Sequence, residues 1–496
     1  MQRIIDWLDT RVGLRSLKAA LLDREVPDRL TWWHTLGSAT LTVFVVQVVT
    51  GTVLATFYSP SPDHAYNSIE YIQHEVASGA LLRGIHHWAA SAMVILILAH
   101  MVRVFSMGAY KYPREVSWLL GVVLLFLVLG FSFTGYLLPW DQKAYWATAV
   151  GTSIAGTTPV VGSLLVTVLR GGGELGAATL SRFFALHVLL LPALLGVVVL
   201  LHLALVVRQG IAPRPQALEV GAPPRTDDPA YPEYYREAYK ATKQGGVRFY
   251  PDIVGKDAVV STLVIVLIFA LAWFRGAPLE PPADPTDTAY VPTPEWYFLP
   301  LYQLLKLVPG SFESTVAVGI PGLLVVTLIA LPFLDRRRAR NLLQRPLAFG
   351  ALVVVLGGAG LLLGGALRER ALETAIAPEV GRPLTSQERA GRALFRAQKC
   401  DDCHKIAGVG GKKGPDLTEV GLKHSPAWLH SFIEAPTRFR SDTTEMPTFG
   451  PPNLTHQEIE DLAVYLSWLR GKAGEAVQPQ YHDTFPSVPP RGDKGE

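Results

Sequence analysis

The stretch RGIHHWAASAMVILILAHMVR, Arg83 to Arg103, decides how this chain folds. It is apolar enough to lie in a bilayer, yet it carries His86, His87 and His100 with an arginine at each end. A second stretch, HVLLLPALLGVVVLLH, His187 to His202, repeats the arrangement. A histidine inside a membrane span is costly and marks function by default. One such residue could simply bond a neighbouring carbonyl; two matched pairs ask for more. On an ideal helix His86 and His100 lie within ~40° on one face and ~21 Å apart along the axis. His187 and His202 lie ~60° and ~22 Å apart by the same geometry. Two facing helices with imidazoles at two shared depths make two bis-histidine sites, and imidazole is an axial haem ligand. His87, ~140° off the face of His100, is read as a polar boundary residue.

Glycine supports this reading. Gly37 and Gly51 in one apolar run, and Gly121 and Gly135 in another, are spaced alike. Each costs ~1 kcal/mol in a helix interior relative to Ala, so close approach of a flat macrocycle at two depths is the reason favoured over close helix packing.

With 496 residues, 49% of them hydrophobic and only 18% charged, the chain is too apolar for an ordinary soluble enzyme. Seven runs approach the ~20 residues that cross ~30 Å of hydrocarbon: about 33–57, 83–105, 117–138, 184–207, 257–275, 315–334 and 346–367. The expected fold is therefore all-α: a polytopic membrane protein with a four-helix dihaem bundle, three further helices and a small soluble helical domain. Cations set the orientation. Arg11, Arg15, Lys18 and Arg24, then Lys111 and Arg114, then Arg236, Lys240 and Lys243, then Arg336 to Arg338 and Arg340 mark one side, whereas Ser59 to Leu82 contains no Lys or Arg. The amino terminus is expected inside and the carboxyl end outside, with no secretory signal in Met1 to Leu30. Arg83, Arg103, Arg182 and Arg208 stand at span boundaries, where they can snorkel or pair with haem propionates; Arg83 is the preferred propionate partner.

The expected domains are 1–210 (dihaem bundle), 211–256 (cytoplasmic linker), 257–367 (three helices), 368–384 (linker), 385–471 (soluble domain) and 472–496 (polar tail). The only cysteines, Cys400 and Cys403, precede His404 in CDDCH, the spacing of c-type haem attachment. Thr385-x-x-Glu388 and Thr455-x-x-Glu458 are capping boxes opening two helices. The second carries the apolar stripe Leu462, Tyr465, Leu466 and Leu469.

At this point the residues resemble a family. The histidine quartet, GYLLPWDQ (Gly135 to Gln142) and PEWY (Pro294 to Tyr297) are similar to cytochrome b of the quinol-oxidising cytochrome bc complexes, closer to the cytochrome b6 plus subunit IV arrangement. GPDL (Gly414 to Leu417) and EMP (Glu445 to Pro447) resemble a class I cytochrome c. A cysteine that would bind a further haem covalently is absent from WWHTLG (Trp32 to Gly37), and His34 is read as a boundary residue. The resemblance implies two non-covalent haems b, on His86 with His187 and on His100 with His202. It also implies one haem c on Cys400 and Cys403, with His404 and Met446 on the iron; His424, His430 and His456 remain rival sixth ligands.

PEWY is implied to form the outer quinol-oxidation pocket. Glu295 is its candidate general base, beside Pro294, Trp296 and Tyr297, with Tyr136 and Tyr145 as walls. The implied function is a quinol:cytochrome c oxidoreductase that splits two electrons between a high-potential path and the two b sites, coupled to proton translocation. Both cysteines being assigned to haem, the Rieske iron–sulfur protein is expected on a separate chain. Further expectations are a homodimeric complex, a quinone pool, a soluble or membrane electron acceptor, a bacterial-type cytoplasmic membrane and no nucleic acid. The alternative is a dihaem quinone-reactive anchor passing electrons one way; it has no need of PEWY or of the last three spans.

Overall fold

A computed structural model describes residues 2–27, 30–218, 224–286, 290, 292–376, 384–439, 446–471 and 478–486. Glu445 of the EMP segment, residues 377–383 of the 368–384 linker and most of the 472–496 tail lie outside them. The chain divides into two compact units, 1–360 and 361–496.

Among the described residues, seven helices are long and apolar enough to cross a membrane: Trp32–Ala55, Gly79–Ser106, Glu115–Leu137, Ala177–Gln209, Phe249–Arg275, Phe312–Leu334 and Pro346–Arg370. They are helical because a bilayer core offers no partner for free backbone N–H and C=O groups. Leu200, Leu263, Leu323 and Leu361 stay exposed, as residues facing lipid do. Small and polar groups fix the packing between spans. A Cβ on Gly84 of span two would lie 3.0 Å from the Ala272 Cβ of span five. Ser38 donates to Asp257 at 2.6 Å and Thr42 meets Ser261 at 3.0 Å, joining spans one and five. The Trp118 indole donates to the Leu328 carbonyl at 2.7 Å, joining spans three and six.

Span four departs from an ideal helix where the histidine arithmetic depends on it. Leu186–Leu190 forms a π-helical turn, closed by the Leu191 N–H on the Leu186 carbonyl. Pro192 follows; its ring would clash with the carbonyl four residues back in a regular helix, and the wider turn relieves that. One extra residue is absorbed between His187 and His202. Their fifteen positions then advance like fourteen, so the offset of about +60° expected on an ideal helix becomes about −40°, the same offset in size and sense as that of His86 and His100.

At the end of the bundle nearer His100, the loops after spans two and six interlock. Lys111, whose side chain is 1% exposed, donates to Asp335 at 3.1 Å and to the Arg337 and Ala339 carbonyls. Arg345 reaches Tyr110, Asp335, and the Phe105 and Ser106 carbonyls. Arg340 binds the Gly108 and Tyr112 carbonyls and the Tyr231 hydroxyl. Burial pulls the Lys111 ammonium down to about 8, against the opposing pull of Asp335, so it remains cationic at neutral pH. Lys111 and Arg340, counted in the sequence as markers of orientation, are thus also buried braces; Arg336 to Arg338 stay exposed.

The second unit holds a small helical domain. Both capping boxes form: Thr385 with Glu388, and Thr455 with Glu458, each with reciprocal bonds. Helices Ser386–Ala397 and His456–Ser467 cross at Gly391, where a Cβ would lie 2.0 Å from the Asp461 carbonyl. Phe395, Ile459, Leu462, Tyr465, Leu466 and Leu469 form the core beneath the crossing. Residues 478–486 run back along this domain: Gln480 and His482 bond the Leu422 and Lys423 carbonyls, and Asp483 meets His424.

Replacing Asp335 by Ala leaves the buried Lys111 ammonium and Arg345 guanidinium without their carboxylate. Thermal unfolding of the detergent-solubilised protein should show a loss of about 3–5 kcal/mol. The Lys111→Met/Asp335→Ala double variant should recover only part of that loss, because the buried Arg345 still lacks its carboxylate.

Candidate functional site

Within the first unit, His86 and His187 face each other with ring centroids 6.4 Å apart and planes at 75°. Two imidazoles bound through nitrogen to opposite sides of one metal, at ~2.0–2.1 Å each, put their centroids roughly 6 Å apart, so this gap fits an iron. A threonine sets each ring. Thr50 donates its hydroxyl to the Val46 carbonyl at 2.7 Å and meets His86 Nδ1 at 2.9 Å. Thr134 donates to the Gly130 carbonyl at 2.8 Å and meets His187 Nδ1 at 3.1 Å. With each hydroxyl proton committed to a carbonyl, its oxygen accepts from Nδ1–H. That tautomer leaves Nε2 with a free lone pair for a metal.

The four glycines lie against the four rings. A Cβ would fall 3.0 Å from His86 Cε1 at Gly51 and 3.3 Å from His100 Cε1 at Gly37. It would fall 2.5 Å from His187 Cε1 at Gly135 and 4.0 Å from His202 Cε1 at Gly121. What the spacing suggested for a macrocycle is met first by the imidazoles, which need that room to turn inward. The threonines were not singled out in the sequence, although Thr-Gly recurs at 50–51 and 134–135 and carried the signal.

The arginines separate. Arg83 donates to Gln73 at 2.6 Å and to the Ala277 and Pro278 carbonyls at 2.8 and 2.6 Å. Arg182 bonds the Thr167 and Val168 carbonyls. Arg103, close to His100, has Nε and Nη2 buried without a hydrogen-bond partner among the described residues. Arg103 therefore has donors left for a carboxylate, and Arg83 braces a loop. His34 accepts from the Thr31 backbone N–H at 3.1 Å, which fits a boundary residue.

That loop brings Glu295 to the His86 end. The Trp88 indole donates to the Gly276 carbonyl at 2.8 Å, and Asp141 and Pro282 form a backbone bridge. Asp141 caps helix Gln142–Gly156 through Ala144 N and also accepts from Glu280 N. Trp296 donates to Ser91, five residues after His86, at 3.3 Å, and Trp296 and Tyr297 pack on the bundle core. Glu295 bonds Lys143 Nζ at 2.8 Å. Burial, with the Glu295 charge nearby, raises the Tyr297 phenol and keeps it a donor. The site is thus a carboxylate among aromatic side chains near a pair of facing imidazoles. Tyr145 instead packs edge-on against Trp140 in a neighbouring cluster.

In the second unit, His404 Nδ1 lies 2.9 Å from the Pro415 carbonyl of GPDL, which holds Nε2 free for iron. Burial, and then Asp401, push the Cys400 thiol up to about 12, so it rests as a neutral thiol. Met446 packs against the core alongside Cys400. The rival histidines are engaged: His424 stacks on Trp428 at 3.7 Å and bonds Asp483, and His430 stacks on His456.

Residues 21–210 match the family described as cytochrome b/b6/petB, 282–377 that of cytochrome b(C-terminal)/b6/petD, and 388–470 that of cytochrome c. The menaquinol:cytochrome c reductase cytochrome b subunit of Bacillus subtilis (strain 168) is 42% identical over 220 residues, 43% of this chain and 98% of that protein. The cytochrome bc complex cytochrome b subunit of Chlorobaculum thiosulfatiphilum is 37% identical over 344 residues, 68% and 75% of the two chains. Among solved structures, a chain of a hyperthermophilic respiratory Complex III superposes with a TM-score of 0.63 at 28% identity, covering 79% of this chain and 95% of that one.

The glycine distances give a graded expectation. Gly135→Ala, at 2.5 Å from His187, should lower b-type haem content or disturb its reduced-minus-oxidised spectrum. Gly121→Ala, at 4.0 Å from His202, should leave both near wild type.

Proposed function

The chain belongs to the cytochrome b family of the cytochrome bc complexes and carries a cytochrome c domain on the same polypeptide, and from that premise we propose that it oxidises quinol at Glu295. The observation that supports this most directly is the Glu295–Tyr297 segment seated at the His86–His187 end of the bundle, beside an imidazole pair spaced for one iron.

His86 with His187 and His100 with His202 would hold two haems b, and Arg103 would pair with propionates at the second. Cys400, Cys403, His404 and Met446 would hold one haem c. These groups, when bound, supply single-electron acceptance and transfer. The protein's own residues do the rest. Trp296, Tyr297 and Tyr136 wall the quinol head group and exclude water. Pro294 and its neighbouring prolines stiffen the loop, and Glu295 accepts the proton from the quinol hydroxyl. As oxidation needs a positioned base, the carboxylate's place beside the His86 pair couples proton release on one side to electron departure along two routes. One route leads to a Rieske iron–sulfur protein on a separate chain and then to the c domain. The other crosses the membrane from the His86 depth to the His100 depth. There Asp257, bonded to Ser38, is placed to supply a proton to a quinone.

In this reading the Glu295 side faces the periplasm and the amino terminus the cytoplasm of a bacterial-type cytoplasmic membrane. The complex is a dimer that feeds a soluble or membrane-bound acceptor from the quinone pool and moves protons as it does so.

The purified chain should contain two haems b per haem c by pyridine haemochrome, and a one-to-one ratio would contradict the paired sites. Glu295→Gln should slow quinol-driven cytochrome c reduction by about 10²-fold or more without loss of haem. Unchanged turnover would favour one-way electron passage instead.

A further inference from the structure

We propose that Lys143 is a positioning residue for quinol oxidation: its ammonium holds the Glu295 carboxylate in place while the base is ionised, and lets it go once the base has taken a proton. This rests on the reading of Glu295 as the base. Lys143 is the second residue of helix Gln142–Gly156. There the helix dipole disfavours a cation, and the N-cap is already supplied by Asp141. The helix itself therefore has no use for a lysine at this position. Its partner lies 152 residues away: Nζ is 2.8 Å from Glu295 Oε1, with the two side chains only 13% and 20% exposed. Nζ also lies 5.5 Å from the centre of the Tyr136 ring. The Tyr136 hydroxyl faces the Thr293 carbonyl, two residues before Glu295, at 3.5 Å. Lysine, tyrosine and loop thus form one short arc around the carboxylate.

The other charged groups here are engaged or further away. Arg83 is bonded to Gln73, Ala277 and Pro278. Asp141 holds Ala144 N and Glu280 N, and Glu280 accepts from the Tyr290 hydroxyl at 2.6 Å. His87 lies within electrostatic range of Glu295, Arg83 and Lys143. Among the described residues, Lys143 is the cation whose nitrogen reaches Glu295.

A charge-assisted bond of this kind depends on both charges. When the quinol O–H breaks and a new O–H forms on Glu295, the carboxyl becomes neutral, and the bond to the ammonium loses the attraction between two opposite charges and weakens. The neutral acid is then free to turn from the pocket, give its proton to water and return as a carboxylate to Lys143. Lysine keeps its own proton throughout, and the quinol's electrons leave by the two routes proposed above. The ion pair is therefore a latch reset by each proton released.

The test uses the assembled complex with a saturable short-chain quinol, comparing Lys143→Met, Lys143→Gln, Lys143→Arg, Glu295→Gln and the Lys143→Met/Glu295→Gln pair. Haem b spectra report assembly. Lys143→Met and Lys143→Gln should lower kcat about tenfold or more, since a misplaced group costs rate rather than affinity, with KM within about twofold. Lys143→Arg should restore most of the rate. The double variant should be no slower than Glu295→Gln alone, because both act through one group. Wild-type kcat in both neutral variants, no rescue by arginine, or losses that multiply in the double variant would each overturn the latch. If Glu295→Gln turns over at wild-type speed, the base reading itself falls, whatever the lysine variants show.

Discussion

Imidazoles held inside a lipid-embedded bundle are the constraint on which the rest of the structure depends, and at His86 and His187 each ring has Nδ1 engaged by a threonine. A polar ring in hydrocarbon must have its N–H accepted. At the His86 end the bundle meets that need with Thr50 and Thr134, whose hydroxyl protons are already given to carbonyls one turn back. The same bonds that make the rings tolerable in the membrane choose their tautomer. Glycines opposite each ring then leave space for them to face inward. Packing and the orientation of the rings follow from one arrangement.

The surroundings of Glu295 have a different origin. They are assembled from the start of span two, the end of span three, the short helix Gln142–Gly156 and the proline-rich loop before span six. Arg83, Trp88 and Asp141 lash that loop down through its backbone. A loop rich in proline has few free N–H groups, so side-chain donors must reach its carbonyls. Rigidity around Glu295 therefore comes from outside the PEWY segment.

Charged residues near the membrane boundary serve more than one purpose. Arg336 to Arg338 stay exposed, whereas Lys111, Arg340 and Arg345 are buried among carbonyls and Asp335. Composition cannot separate these roles, because a lysine that marks an orientation and one that clasps two loops look alike in a string of letters. Arg83 and Arg103 teach the same lesson. Both sit at span ends, yet the first has its donors taken by a loop and the second keeps two buried and unanswered.

The sequence by itself determined the seven spans, the two histidine depths, the capping boxes and the helix stripe ending at Leu469. It did so because each is written in local periodicity, and hydrocarbon enforces helices wherever apolar runs are long enough. CDDCH and PEWY were legible for the same reason, as short contiguous patterns. Only the tertiary structure decided the π-helical turn that brings His187 and His202 into phase, the threonines that orient the rings, the Lys143–Glu295 pair and the return of residues 478–486 onto the c domain. These are contacts between residues tens to hundreds of positions apart, or a local strain relieved by packing. No periodicity encodes them, because their energy exists only once distant segments have met.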